Sequence, residues 1–302
     1  MNMQFLVDGL VAGSMIGLGA IGVTLTYSIL RFANFAHGDL MAWGTYSALM
    51  LLGLLSAQFG ETDPIGPFSF GWPLIAAGAF AMLLTGLLAL AVDAMLFARL
   101  RARGQAIIVV MASFGASMTL RSLLEFIFTS RPRYFSRDIQ MALPIGPGVS
   151  ATPDQIALLA LTGLLVLGTH VLMQRTRIGR AMRATSQNPA LARVSGIDVA
   201  SVVRVTWLIG GALACVAGMM IGILVQIRPL MGLDLLLPLF AAAILGGIGS
   251  IGGAVVGGLI IGLAEAACVQ WVGAEWRAAV AFVILIAVLM LRPSGLFGVA
   301  GQ

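Results

Sequence analysis

Apolar residues in this chain come in runs of about twenty, the length a helix needs to cross a hydrocarbon core, and polar residues gather between the runs. The pattern predicts spanning helices over approximately 8–30, 38–56, 73–96, 106–128, 155–173, 203–226 and 275–291. A transmembrane β-barrel would instead alternate apolar and polar positions over about ten residues. The start, MNMQFLVDGLVAGSMIG, has no basic leader region and carries Asp8, so it reads as part of the first span rather than as a cleaved signal.

The stretch 235–271 breaks the pattern. As one helix it would be about 55 Å long, too long for a core of about 30 Å. Its middle reads GGIGSIGG, from Gly246 to Gly253, with five glycines and Ser250. This predicts a short helix, a break and a second helix, with the break facing the bundle interior or a cavity, because non-helical backbone at membrane depth needs protein or water to satisfy it. If both halves cross, the spans number nine and Arg292 ends inside; if the first half is re-entrant, they number eight and the C-terminus lies outside. The preference of Arg292 for the cytoplasm favours nine. Glycines at spacing four (Gly9, Gly13 and Gly17; Gly218 and Gly222; Gly253 and Gly257; Gly258 and Gly262) are close-packing signals. Packing within one bundle is the plainer reading; pairing with a second subunit is the sharper one.

Charge placement orients the bundle. The connections 31–37, 97–104 and 174–204 hold ten arginines: Arg31, Arg99, Arg101, Arg103, Arg175, Arg177, Arg180, Arg183, Arg193 and Arg204. The opposite set holds four, Arg131, Arg133, Arg137 and Arg228, together with Glu61, Asp63, Asp138, Asp154 and Asp234. The excess places the first set in the cytoplasm and the N-terminus outside. Composition agrees: 60% of the 302 residues are hydrophobic and 10% charged, too little charge to coat a soluble domain. The net charge of +5 sits between apolar runs, where it sets topology rather than binding nucleic acid. The chain has no lysine, so it lacks the phosphate-binding Lys of a P-loop and does not hydrolyse ATP in that way. Cys215 and Cys268 both lie in apolar runs and match no metal or redox spacing.

Three segments could carry chemistry. RTRIGRAMRATSQNPALARVSGID, Arg175 to Asp198, looks ordered. Ile178, Ala181, Met182 and Thr185 share one helical face, with Arg180 and Arg183 turned away. Asn188 and Pro189 read as a helix start, and Gly196 is placed to end that helix. Two short helices along the membrane surface are expected, either to transmit force from a partner or only to fix orientation. NFAHGDLM puts Asn34, His37, Gly38 and Asp39 at the start of the second span, where Asn34 could cap and Asp39 suits the positive helix end. Arg121 and Glu125 stand at i,i+4, a mutually neutralising pair or a functional site, while Asp93 and Glu265 have no evident partner. His37 and His170 cannot be joined by spacing, and no acid–base–nucleophile set assembles, which speaks against an intramembrane enzyme. An ion-coupled secondary transporter would need Glu125 or Glu265 as its ion site.

Taken together, NFAHGD, GRAMRA…QNPALARVSGID, GGIGSIGGAVVGG and the closing LRPSGLFG, in this order from about residue 5 to 298, resemble the LivH-type permeases of branched-chain amino acid importers of the ATP-binding-cassette class. The resemblance implies an all-α, polytopic transmembrane helix bundle of eight to nine spans with one glycine-broken helix, a single permease domain over 1–302 in the bacterial inner membrane. It implies a second, LivM-like permease, two cytoplasmic ATPases carrying ATP and Mg, and a periplasmic solute-binding protein as partners; the chain itself holds no cofactor. Within the cytoplasmic loop 174–204 it implies coupling to an ATPase through Gly179, Arg180, Ala181, Arg183, Ala184, Asn188, Pro189, Ala192 and Gly196. Asn34, His37, Gly38 and Asp39, with Gly246, Gly247, Gly249, Ser250, Gly252 and Gly253, are the candidates for the pathway or helix break, the freed backbone there being able to meet a zwitterion. Relatives in the class also move urea or short amides, an alternative substrate.

Overall fold

A computed structural model describes residues 3–60, 63–102, 104–136, 140–146, 148–292 and 294–298. Glu61, Arg103, Arg137, Asp138 and Pro293, used above, lie outside them. The helices are α1 (Gln4–Leu30), α2 (His37–Phe59), α3 (Trp72–Val92), α4 (Ala98–Arg101), α5 (Ala106–Phe128), α6 (Pro153–Arg175), α7 (Arg177–Gln187), α8 (Pro189–Val194), α9 (Val199–Leu224), α10 (Met231–Gly246), α11 (Ile251–Trp271) and α12 (Arg277–Leu291). A π-helical stretch, Asp93–Phe97, joins α3 to α4 without a break, and a 3₁₀ turn, Ala274–Trp276, leads into α12. Among the described residues eight helices are long and apolar enough to cross a membrane, α3 through α4 counting as one and α12 counting with its leading 3₁₀ turn as Ala274–Leu291; the 16-residue α10 is shorter than these. The expected spans recur within a few residues. The stretch 129–154 carries something not foreseen, an antiparallel hairpin of β1 (Leu143–Gly146) and β2 (Val149–Ala151). Gln4 fastens it to α1, its side chain donating to the Ser150 carbonyl (2.9 Å) and accepting from the Ser150 amide (3.0 Å).

Helix α1 is the hub, buried along most of its length, as expected of a helix that is apolar all round. It lies antiparallel to α11: Gly9 faces Leu263, Gly13 faces Leu259 and Gly17 faces Val255. In return Gly258 and Gly262 sit on the backbones of Gly17 and Gly13, so closely that a Cβ at Gly258 has no room. Lipid tails are as apolar as Leu, so this pairing is held by close van der Waals packing rather than by burial from water. Gly218 rests on Met41 and Thr45 of α2, and Gly257 rests on Ala242 of α10. The spaced glycines therefore pack this chain against itself.

The break at 235–271 is a hairpin. Gly247 to Ser250 turn the chain between α10 and α11, with Gly247 and Gly249 at φ +95° and +94°, a region other residues enter at a cost. Ser250 caps α11 by accepting from the Gly253 amide (3.0 Å). Gly246 and Gly253 touch backbone to backbone across the pair. The turn lies near the C-terminal end of α1, where the Gly249 amide donates to Thr24 Oγ1 (2.8 Å). At its far end α11 returns to the start of α1, and the rings of Phe5 and Trp271 meet at 5.3 Å. Helix α12 then runs back, and the amides of Leu296 and Phe297 donate to the carbonyls of Leu245 and Gly246 (2.8 and 3.1 Å). The start of α1 and the segment 294–298 thus lie at opposite ends of the bundle, as the nine-transit reading requires. The ninth transit is incomplete as a helix, because α10 is only about 24 Å long and starts at the depth of Gly38, against Gly232.

Candidate functional site

At the arginine-rich end, α6 turns sharply into α7. Thr176 caps α7 by accepting from the Gly179 amide (3.0 Å). Gly179 lies on the carbonyls of Leu172 and Met173, with no space for a Cβ. Met182 and Thr185 are buried, and Ile178 and Ala181 are half-buried, as the face pattern predicted. Asn188 Oδ1 accepts from the amides of Ala190 and Leu191 (3.0 Å each), with Pro189 at the first helical position of α8. Gly196, at φ +82°, follows the end of α8, and Ala192 is buried beneath it. Arg180 is exposed and Ala184 half-buried.

Arg183 departs from expectation. Rather than turning away, it donates through Nη1 to the Met173 carbonyl, because the C-terminal carbonyls of α6 lack intrahelical partners and α7 folds back over them. Arg31 does the same from α1, donating to the carbonyls of Ser186 (2.7 Å) and Gln187 (3.3 Å) at the end of α7. The two-helix unit is therefore clamped to α1 and α6. Its outer surface carries Leu191 and Val194, 62% and 87% exposed. The sequence reading missed this pair; their i,i+3 spacing on a short helix with buried Ala192 was the available signal.

The NFAHGD segment lies deep in the bundle. Asn34, His37 and Asp39 are all buried. Asn34 does not cap α2 directly: its Oδ1 accepts from the Ala36 amide (3.1 Å), forming a turn one step earlier. His37 donates through Nε2 to the Gly19 carbonyl (3.2 Å). Gly38 and Gly232 press backbone to backbone, which sets α10 against α2.

Asp39 receives Arg121 Nε (3.2 Å) on one oxygen and the Ser117 hydroxyl on the other, and Arg121 Nη2 also donates to Ser117 Oγ (3.1 Å). The expected Arg121–Glu125 pair is therefore corrected: Arg121 turns inward and Glu125 is exposed. A buried carboxylate needs its counter-ion far more than an exposed one does. Glu265 and Asp93, which had no evident partners, bond Arg277 (2.7 Å) and Arg101 (2.5 and 3.0 Å).

The candidates for pathway or break thus form two groups. Asn34, His37, Gly38 and Asp39 belong to the buried centre. Ser250, Gly249 and Gly252 line a cavity of about 710 Å³ at the arginine-rich end, beside α7, while Gly246, Gly247 and Gly253 are taken up by packing. Much of the backbone freed at the break is satisfied within the chain, by Thr24, Leu296 and Phe297. His170 lines this cavity, and His37 does not. A second cavity, about 380 Å³ between α3, α6 and α9, is lined by apolar side chains such as Leu74, Met82, Leu158 and Met219.

Several known proteins resemble the chain along nearly all of its length. BraD of Pseudomonas aeruginosa, a high-affinity branched-chain amino acid transport system permease protein, is 32% identical over 98% of this chain and 95% of its own. LivH of Escherichia coli K12, described in the same words, is 32% identical over the same shares. The solved structure of PsaBC from Streptococcus pneumoniae in complex with Fab covers 98% of this chain and 94% of its own at TM-score 0.50; at 12% identity that likeness concerns the fold alone. The family model for the permease component of branched-chain amino acid transport systems matches residues 5–289. With its helices packed as a multi-pass bundle, the chain belongs to the branched-chain amino acid transport system permease family.

Proposed function

We propose that this chain is one permease subunit of an ATP-driven importer in a bacterial inner membrane, forming part of the pathway for branched-chain or other small neutral amino acids. In this reading a LivM-like permease completes the pathway, two cytoplasmic ATPases bind ATP and Mg, and a periplasmic binding protein delivers the solute. The observation that carries the reading is the α7–α8 unit: rigidly clamped to α1 and α6 by Arg31 and Arg183, yet presenting Leu191 and Val194 outward. Exposed apolar side chains on a braced projection suit a partner surface. Closure of the ATPases would push on α8, α7 would pass the push to the ends of α1 and α6, and the bundle would open to the other side.

The test is uptake of labelled leucine in cells carrying the full set of partners. Leu191→Asp with Val194→Asp is expected to abolish ATP-dependent uptake and to lose co-purification of the ATPase, while membrane insertion stays normal. Unchanged uptake in that variant rejects the coupling role. Uptake that survives ATP depletion but collapses with the proton gradient rejects the importer class in favour of ion coupling; the pairing of Glu265 and the exposure of Glu125 argue against that rival. Competition by urea or acetamide, stronger than by leucine, moves the substrate within the class.

A further inference from the structure

The 710 Å³ cavity has a property that the coupling role does not use. It lies between the end of α1, the end of α6, the flank of α7 and the start of α11. Among the described residues Arg31, Arg183 and His170 line it, and no Asp or Glu does. Among the described residues neither arginine has a carboxylate partner. Arg31 donates to the carbonyls of Ser186 and Gln187, and Arg183 donates to that of Met173. The ion pairs among the described residues engage other arginines: Arg101, Arg121, Arg204, Arg228 and Arg277. Carbonyls carry only partial charge, so among the described residues no full negative charge offsets either guanidinium.

Each guanidinium has five N–H donors in a fixed fork, and the carbonyls occupy only some of them. Ser28 and Ser250 are also among the cavity's lining residues. The positive end of α11 adds to the field, since its first amides have no intrahelical acceptor.

We propose that this cavity binds a phosphate group between Arg31 and Arg183. Phosphate fits better than a halide or a lone carboxylate, because its several oxygens can engage two guanidinium forks together. The group can arrive on the headgroup of an anionic phospholipid, since the cavity sits where α1 leaves the bundle at its arginine-rich end and basic pockets between cytoplasmic helix ends take such headgroups. It can also arrive as a soluble phosphate. Either way it bridges α1 to α7 and stiffens that joint. The binding stands on the cavity and its charges alone, whatever α7 does.

The experiment uses the purified full chain in detergent, followed by thermal unfolding and native mass spectrometry. Phosphatidylglycerol is compared with phosphatidylcholine, and inorganic phosphate with chloride at equal ionic strength. At least one phosphate source is expected to bind and to raise the unfolding temperature. Arg31→Gln and Arg183→Gln should each weaken binding about tenfold, the loss of one charge-assisted hydrogen bond or more. Arg31→Lys should keep most of it, and Arg99→Gln, an exposed arginine at the same end, should keep all of it. A response to the lipid without one to inorganic phosphate identifies the headgroup as the source, and the reverse identifies a soluble one. No response to either, or an equal loss in Arg99→Gln and Arg31→Gln, overturns the proposal. If Arg183→Gln does not fold, Arg31→Gln alone decides.

Discussion

Asp39 lies in the first turn of α2, its side chain 1% exposed, with Arg121 and Ser117 of α5 as its partners. Within a bundle such a pair costs desolvation on both sides, and its removal hurts most when only one partner goes. Asp39→Ala should therefore destabilise the protein by about 3 kcal/mol or more, because it strands the Arg121 charge. Asp39→Leu combined with Arg121→Met should recover much of that loss. Thermal unfolding in detergent checks both; equal damage from the single and the double variant would show that the pair is not the source. The same logic explains why Arg121 ignores Glu125 four residues on. Asp39 is 82 positions away in sequence, and only the approach of α5 to α2 reveals it. Arg183 is a parallel case: helical periodicity put it on the outer face, but the unpaired carbonyl of Met173 drew it in.

At the level of elements, glycine has two opposite meanings. On α11, Gly258 lies against the backbone of Gly17, whereas Gly163 on α6 has nothing within 4 Å of its Cβ position. Gly258→Val should push α1 from α11 and cost about 3 kcal/mol or more, seen as a lower unfolding temperature and a smaller folded yield. Gly163→Ala should be neutral or gain up to about 1 kcal/mol from helix propensity. Opposite results would mean that α1 and α11 do not form the central pair. The spacing of glycines in the chain marked several close contacts, but not which helix each would meet. The β1–β2 hairpin was not legible at all, since its strands are short and hold Pro144 and Gly146 in place of an alternating pattern. Caps were easier to read: Asn188, Pro189 and Gly196 sit where local backbone chemistry alone places them.

For the whole molecule, the arginine asymmetry and the packing agree on direction. Phe297, 56% exposed, lies beside the α10–α11 turn at the same end as Val194, and Gly60 follows α2 at the other end. Introduced one at a time, Val194→Cys and Phe297→Cys should react with a membrane-impermeant thiol reagent only from the cytoplasmic side, and Gly60→Cys only from outside. The native Cys215 and Cys268 are buried and should give little background. Labelling of Phe297→Cys from outside would reverse α12 and remove the ninth transit.

What the chain could settle unaided is what depends on neighbours within a few turns or on the bilayer as a solvent. Twenty-residue apolar runs must become helices, because lipid offers no partner to a bare backbone; arginine counts orient them; caps and glycines end them. The folded bundle decided what depends on partners brought from far along the chain. It joined Asp39 to Arg121 and Glu265 to Arg277, folded 235–271 into a hairpin whose turn is satisfied by Thr24 and the C-terminal segment, and set Arg31 and Arg183 around one cavity. Charge pairing inside a membrane is long-range in sequence but short-range in space, so only the packing of helices selects the partner.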